Sequence, residues 1–145
     1  MAKHTVVTMP GDGIGNQVLP KALRLLKAAG FDAEFIHADI GWDCWCHEGN
    51  ALPQRTIDLL ARHRLGLFGA ITSKPKKQAE AELKPELRGK GYSYFSPIVT
   101  MRQKFQLDTC IRPCILAIIF PHLEFEAMFT RCVGQCLDAS VILEA

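Results

Sequence analysis

The stretch Thr5-Val-Val-Thr-Met-Pro-Gly-Asp-Gly-Ile-Gly15 decides the fold, because a short β-branched run leads directly into a glycine-rich turn. Residues 5–9 have the composition of a buried strand, and the Pro-Gly pair that follows ends it. Apolar residues then recur at helical spacing from Val18 to Ala29, and Gly30 suits the C-terminal cap of that helix. The chain therefore opens with a predicted strand, tight turn and helix.

The same alternation of strand and helix continues as far as residue 71. A second strand is predicted over 33–40, and a helix is predicted to begin after Pro53. The continuous apolar run over 65–71 predicts a third strand, of the kind found in parallel sheets. Because strands that alternate with helices form right-handed βαβ units, the sequence predicts an α/β fold with a mostly parallel sheet.

Further elements are predicted beyond the third strand. A short charged helix is expected over 80–87, and a second helix over 98–105, where the apolar residues share one face. The character of the sequence changes after Cys114. There the pattern predicts a strand over 115–120 and an amphipathic helix over 123–136.

Composition and charge are those of an ordinary soluble globular chain of about one domain. The 145 residues are 48% hydrophobic and 22% charged, with a net charge of +2. Mixed charges of this kind give no electrostatic footprint for nucleic acid. The longest strongly apolar run is too short to span a bilayer, and the start lacks the features of a signal peptide. We therefore expect a cytoplasmic protein with no nucleic-acid or membrane partner.

The six cysteines allow two interpretations. The run Cys-Trp-Cys-His at 44–47 and two Cys-x3-Cys pairs could supply zinc ligands, but these spacings match no familiar zinc motif. Reduced thiols that pack as small apolar side chains are the interpretation we favour. The cysteines concerned are Cys44, Cys46, Cys110, Cys114, Cys132 and Cys136.

Two loops that follow predicted strands are candidate ligand contacts. Glycines at 11–15 expose backbone N–H groups at a helix start, which suits a phosphate, yet their spacing is not the G-x-G-x-x-G of a Rossmann nucleotide site. No acidic residue follows the second strand at the distance that a ribose hydroxyl would need, unless Asp39 serves. Thr72 and Ser73 lie in the loop that follows the carboxyl end of the third strand, where ligands bind in open α/β sheets. A plain tight turn and an ordinary loop are the alternatives.

The segment from Ser96 to Cys114 contains two arginines, Arg102 and Arg112. A guanidinium binds a carboxylate through two parallel hydrogen bonds, so two such groups with a hydroxyl nearby suit a small di- or tricarboxylate. The alternatives are structural: Ser96 would cap the following helix, Arg102 would lie on the surface, and Arg112 would pair with Asp108.

Together with the glycine turn, the Ser-x5-Arg-x9-Arg-Pro spacing resembles the isocitrate/isopropylmalate dehydrogenase family of NAD(P)-dependent β-decarboxylating enzymes. The resemblance covers about residues 5–114 and implies that Ser96, Arg102 and Arg112 bind the malate-type carboxylates of the substrate. At position 98, isocitrate enzymes commonly have asparagine and isopropylmalate enzymes an aliphatic residue. Ile98 therefore favours an apolar or mixed substituent.

The resemblance also implies where the cofactor lies. The family places the glycine turn, here with Gly13 and Ile14, beside the nicotinamide end of NAD or NADP. A threonine at the position of Thr72 lies against the nicotinamide half and the substrate. The implied fold is a partial, truncated isocitrate/isopropylmalate dehydrogenase-like α/β fold. Residues 1–107 would form the N-terminal part of the large domain, and residues 108–145 the start of a second domain followed by an atypical tail.

The family's chemistry also needs residues that its members carry further along the chain. These supply the Mg²⁺ or Mn²⁺ ligands and the acid/base pair, and no matching blocks occur here. We therefore expect the chain to be the N-terminal fragment of a metal-requiring dehydrogenase and to be inactive alone. Members of the family are homodimers. A frameshift or a truncated reading frame would explain the tail. The alternatives are a non-catalytic carboxylate-binding or regulatory subunit and a small structural or zinc-dependent protein.

Overall fold

The protein is described by a computed structural model that covers residues 4–109 and the backbone of residues 141–144. Four strands form one sheet in the order β2-β1-β3-β4, and every neighbouring pair is parallel. The predicted α/β fold with a parallel sheet is confirmed. The strands are β1 (His4–Gly11), β2 (Ala33–His37), β3 (Leu65–Ala70) and β4 (Val141–Glu144).

Helices connect these strands in the described part of the chain. The helix after the glycine turn and the helices after Pro53 and Ser96 lie where the sequence predicts them. No helix of this part is long and apolar enough to cross a membrane. The helices are α1 (Gly15–Ala28), α2 (Trp42–Glu48), α3 (Gln54–His63), α4 (Lys76–Ala81) and α5 (Pro97–Lys104).

Three sequence predictions are corrected. The second strand, predicted over 33–40, ends at His37, and Ala38 and Ile40 beyond it are buried in the core. The short helix α2 was not predicted, since its seven residues lie between two glycines with positive φ and are too few to show a helical period. The charged helix predicted over 80–87 is instead α4, which starts after Pro75 and ends before Pro85.

Other predicted elements lie outside the described residues. These are the strand over 115–120 and the amphipathic helix over 123–136. The division at residues 107 and 108 into two domains stays a prediction. The short strand β4 joins the same sheet as β1 and β3.

Alternate residues of the strands pack against helices on the two faces of the sheet. On one face, Val7, Met9 and Phe68 contact apolar side chains of α3 and of Met101 in α5. On the other face, Val6 and Leu67 pack against Leu19 and its neighbours in α1. This double cover explains why β3 is continuously apolar and why β1 has apolar residues on both faces. Ile98 and Phe105 are partly buried against the first cluster with Met101, as their predicted shared face requires.

Glycines let the turn after β1 pack directly against the end of β3. A Cβ atom at Gly11 would lie 2.0 Å from the carbonyl oxygen of Ala70, and one at Gly15 would lie 2.0 Å from that of Pro10. Gly69 faces Pro10 in the same way, at 2.4 Å. By contrast, nothing lies within 4 Å of a Cβ at Gly13. The outer glycines therefore permit close backbone packing, and Gly13 leaves the tip of the turn open.

A Gly15→Ala substitution is expected to destabilise the fold by about 3 kcal/mol, at the upper end of the usual overpacking cost, because its methyl group would overlap backbone. Gly13→Ala is the matched control: it meets no atom but adopts a φ of +50°, which costs about 1 kcal/mol. Urea denaturation of both variants measures the difference. Equal losses for the two variants would contradict the packing argument.

Candidate functional site

The carboxylate of Asp12 connects three segments at the carboxyl ends of β1 and β3. Its Oδ2 accepts hydrogen bonds from the backbone N–H groups of Trp42 (2.7 Å) and Thr72 (3.0 Å). Its Oδ1 accepts from the N–H of Asp43 at 3.2 Å. Asp12 is only 7% exposed, so these donors replace the water that a carboxylate would otherwise require.

Local sequence explains why this carboxylate can lie so close to a helix start. Gly41 precedes α2 with a φ of +112°, and a Cβ there would lie 2.5 Å from Asp12 Oδ2. The backbone N–H of Asp12 itself donates to the carbonyl oxygen of Ala70 at 2.7 Å. The glycine turn is therefore fixed to the end of β3 by backbone and to α2 by a side chain.

The two residues of the glycine turn predicted to meet a cofactor lie at its exposed tip. Gly13 is exposed, and Ile14 is 60% exposed at the N-cap position of α1. An isoleucine this exposed offers an apolar surface to a ligand or partner. The turn thus combines a rigid base at Asp12 with an accessible, partly apolar tip.

Thr72 lies beside this turn because its backbone N–H and its carbonyl oxygen are both hydrogen-bonded. Its N–H donates to Asp12, and its carbonyl oxygen accepts from the Tyr94 hydroxyl at 3.4 Å. The Tyr94 hydroxyl also lies 3.2 Å from Ser73 Oγ. The backbone at Thr72 is therefore fixed, while the residue stays exposed to solvent.

Trp42, Trp45 and Tyr94 form an aromatic cluster beneath the loop that contains Thr72. The Tyr94 ring centroid lies 5.0 Å from that of Trp42 and 5.4 Å from that of Trp45. The indole N–H of Trp45 donates to the carbonyl oxygen of Ala79, and that of Trp42 donates to Glu82. Both rings are buried, so the aromatic cluster is fixed by packing and by hydrogen bonds.

Lys74, two residues after Thr72, is paired with a carboxylate. Lys74 Nζ lies 2.7 Å from a carboxylate oxygen of Glu82 and 5.2 Å from the centre of the Trp42 ring. The hydrogen bond from Lys74 and, as the second largest cause, the hydrogen bond from Trp42 lower the pKa of Glu82. Lys74 therefore belongs to the support of the aromatic cluster.

Helix α5 presents the residues of the predicted carboxylate site. Ser96 occupies the N-cap position, but its side chain makes no capping hydrogen bond, so the capping role considered from the sequence is wrong. Instead, the hydroxyl of Thr100 donates to the Ser96 carbonyl oxygen at 3.1 Å. Ile98 is partly buried against the core, whereas Arg102 is exposed.

The second arginine of the predicted pair, Arg112, lies outside the described residues. Its suggested partner, Asp108, accepts a hydrogen bond from the hydroxyl of Thr109 at 3.0 Å. The structure thus brings Gly13, Ile14 and Thr72 to one edge of the sheet, and Tyr94 connects that edge to the segment that leads into Ser96. The binding of one carboxylate ligand by both Arg102 and Arg112 stays a prediction.

Asp39, considered for a ribose hydroxyl, is instead bound by Arg55. The guanidinium donates to Asp39 Oδ2 at 3.0 and 3.1 Å and to both oxygens of Glu48 at 2.7 and 2.8 Å. These hydrogen bonds lower the pKa of Asp39 and that of Glu48. Asp39 also borders a shallow cleft of about 160 Å³ between β2 and α2.

The cysteines of α2 have the properties of packed thiols. Burial raises the pKa of Cys44 to about 11 and also raises that of Cys46, as expected for thiols that pack as small apolar side chains. Among the described residues, no group of three His, Cys, Asp or Glu side chains is placed to hold a metal ion. The remaining four cysteines lie outside the described residues.

Asp12 and Tyr94 were not identified as site residues from the sequence. Asp12 had a usable signal, since an acidic residue between two glycines directly after a strand has few roles other than binding N–H groups. Tyr94 had none, because its hydroxyl partners are 21 and 22 residues away along the chain.

Comparison with known proteins supports one family. The family model described as isocitrate/isopropylmalate dehydrogenase matches residues 5–144, so the match continues through the tail that the sequence analysis set apart. Homoisocitrate dehydrogenase of Methanocaldococcus jannaschii is 39% identical over 74% of this chain, and Protein DlpA of Legionella pneumophila is 38% identical over 75%. The chain spans only 27% and 18% of the lengths of these two relatives.

A solved structure has the same fold in the part that it shares with this chain. The crystal structure of isocitrate dehydrogenase from Methylococcus capsulatus superimposes with a TM-score of 0.57 and is 26% identical in sequence. The superposition covers 72% of this chain and 26% of that protein. The isocitrate dehydrogenase-like form of the predicted α/β fold is thereby confirmed.

Asp12→Asn is expected to lower the free energy of unfolding by about 2–3 kcal/mol, because an amide N–H₂ would face a backbone donor inside a buried site. Asp43→Asn, an exposed change next to the same helix start, is the control and should cost at most about 0.5 kcal/mol. Urea denaturation at neutral pH compares them. An Asp12 variant as stable as the Asp43 variant would contradict the role assigned to this carboxylate.

Arg55→Gln is expected to destabilise the protein at pH 7, and this effect should shrink as the pH falls below about 4. The folded pKa values of Asp39 and Glu48 lie below their unfolded values of about 4, so the ion pairs stabilise the fold fully above that pH and lose this effect as the pH falls through the folded pKa values. Unfolding measured from pH 7 down to about pH 2, with Arg62→Gln on the same helix as control, checks this. A difference between Arg55→Gln and wild type that is as large at the acid end as at pH 7 would contradict it.

Proposed function

The chain belongs to the isocitrate/isopropylmalate dehydrogenase family, and on that premise we propose that it forms part of the site at which an NAD(P)-dependent dehydrogenase oxidises a 2-hydroxy di- or tricarboxylate. The observation that carries the proposal is the double anchoring of Thr72 by Asp12 and Tyr94. This anchoring joins the glycine turn and the segment that leads into α5.

The cofactor contacts in this proposal come from Gly13, Ile14 and Thr72. The exposed apolar side chain of Ile14 suits one face of a nicotinamide ring, and the open space at Gly13 allows close approach. The Thr72 hydroxyl is available to the carboxamide or to the substrate. These residues fit NAD or NADP, whose nicotinamide would accept the hydride. The chain's own part is to bind the ring and fix its orientation.

The substrate contacts in this proposal come from Ser96, Ile98, Arg102 and Arg112. The hydroxyl of Ser96 makes no capping hydrogen bond, which supports its assignment to a ligand carboxylate. Arg102 is exposed on the same helix and supplies a planar pair of donors. Ile98, although partly packed against the core, favours an apolar or mixed substituent. The substrate class is therefore of the isocitrate, isopropylmalate or homoisocitrate type.

We assign no step to Mg²⁺ or Mn²⁺. In the part of the chain that the structure describes, no acidic or histidine cluster fits such an ion. The roles proposed for this chain are binding of the hydroxy acid and of the nicotinamide, and exclusion of solvent from beneath the loop at Thr72. Inactivity of this chain alone, a homodimeric assembly and a cytoplasmic location remain predictions.

A second candidate function uses the same residues. A chain that presents Ser96, Arg102 and Arg112 without the remaining groups of the family would bind a carboxylate and not convert it, as a regulatory subunit does. Formation of NAD(P)H from isocitrate or 3-isopropylmalate in the presence of Mg²⁺ separates turnover from binding alone. Binding without formation of reduced cofactor would favour the second function.

Arg102→Ala is expected to weaken binding of isocitrate or 3-isopropylmalate by about 10- to 100-fold, the effect of one lost charge-assisted hydrogen-bonded contact. Isothermal titration of the full chain measures it. Lys104→Ala, which removes an exposed cation from the same helix, should change the affinity less than about twofold, because side chains two positions apart on a helix do not face the same side. Wild-type protein that binds neither acid, or equal losses for both variants, would overturn the proposed function.

A further inference from the structure

We propose that Tyr94 is a positioning residue that makes binding of the nicotinamide cofactor and binding of the carboxylate substrate depend on each other. This inference rests on the proposed function, because it concerns the residues assigned there to the two ligands. It assigns Tyr94 no contact with either ligand. Its role is exerted through Thr72 and Ser73 on one side and through the start of α5 on the other.

The first argument is the placement of the Tyr94 hydroxyl. It donates to the carbonyl oxygen of Thr72 at 3.4 Å and lies 3.2 Å from Ser73 Oγ. The N–H of the same Thr72 is bound by the buried carboxylate of Asp12. With one end of the residue fixed by Asp12, the hydroxyl of Tyr94 determines the orientation of the next peptide and hence the direction of the Thr72 side chain.

The second argument is the short chain distance between Tyr94 and the proposed substrate residues. Tyr94 precedes Ser96 by two residues, a span of at most about 7 Å between Cα atoms. Pro97 begins α5, so the chain between Tyr94 and the helix has little conformational freedom. A shift of Ser96 toward a bound carboxylate would therefore move the Tyr94 backbone with it.

The third argument is that the Tyr94 ring cannot move independently. The ring is 7% exposed and lies against both indoles of the aromatic cluster, edge-on to Trp45 at an interplanar angle of 79°. Trp45 is itself bound to Ala79, and Trp42 is bound to Glu82. The ring therefore cannot absorb a displacement of the helix start by rotating, and such a displacement changes the contact between the Tyr94 hydroxyl and Thr72.

The chain offers a matched control. Tyr92 is its other tyrosine; it is 42% exposed, and its ring contacts the position of Gly49. Tyr92→Phe and Tyr94→Phe each remove one oxygen atom and keep the ring. Ser73→Ala keeps Tyr94 and removes one of its hydroxyl partners at an exposed position.

The test measures the dissociation constant of 3-isopropylmalate, and separately of isocitrate, with and without saturating NADH or NADPH. In the wild-type chain the cofactor is expected to tighten acid binding about tenfold, a common size for coupling between sites. The ratio should fall to about two or less in Tyr94→Phe, fall partly in Ser73→Ala and stay unchanged in Tyr92→Phe. A general loosening of the structure would weaken the binding of both ligands and leave the ratio of the two dissociation constants unchanged. This ratio therefore separates a positioning role of Tyr94 from a purely structural one.

Three results would overturn the inference: no coupling in the wild type, an unchanged ratio in Tyr94→Phe, or an equal fall in Tyr92→Phe. A wild-type chain that binds neither ligand would overturn the proposed function, and a measurement without ligand then decides the role of Tyr94. Amide hydrogen exchange at Thr72 should be faster in Tyr94→Phe than in Tyr92→Phe, while that at Gly66 within β3 should be the same in both. Equal exchange at Thr72 would show that Tyr94 does not position it.

Discussion

The arrangement of the candidate site depends on one buried carboxylate that accepts hydrogen bonds from three backbone N–H groups. Asp12 lies at the end of the central strand, and its donors belong to the start of α2 and to the loop after β3. A buried charge is costly unless its hydrogen-bonding capacity is filled, so the two segments cannot separate from the glycine turn without exposing an unsatisfied anion. Three glycines around Asp12 allow these segments to approach so closely, because the positions of Gly11, Gly15 and Gly41 have no room for a side chain.

A second set of contacts, made by uncharged groups, surrounds the contacts of Asp12. Thr72 connects Asp12 to Tyr94, and the aromatic cluster connects Tyr94 to α2 and to the residues of α4. Because α2 takes part in both sets, the elements around the loop at Thr72 form a closed ring of contacts. Such a ring holds exposed side chains in fixed directions while their supports stay buried, which is how binding residues on loops acquire a defined geometry.

The sequence predicted the repeating parts of this structure better than the site itself. The strands β1 and β3 were predicted from β-branched or continuous apolar runs, and the helix α5 from the spacing of its apolar residues, because burial on one or two faces leaves such patterns in the sequence. The helix α2 was missed because seven residues between glycines carry no such pattern. The contacts of Asp12 and Tyr94 were missed for a different reason. They join residues 21 to 60 positions apart, and a single sequence does not reveal which distant groups meet. The roles that the family resemblance implies for its site residues stay predictions, and the resemblance gave no account of what supports those residues.

The register of the sheet has a consequence for the order in which the chain folds. Val6 pairs with Phe35 and Val7 with Gly66, so three adjacent strands are complete within the first 70 residues. Leu65 pairs with Val141, which requires the closure of a much longer loop and can occur only late in synthesis. The strand β4 is therefore expected to add to an edge that has already formed, with β3 as its template. Because the donors of Asp12 lie at residues 42, 43 and 72, this carboxylate can acquire all of them before the residues of β4 are made.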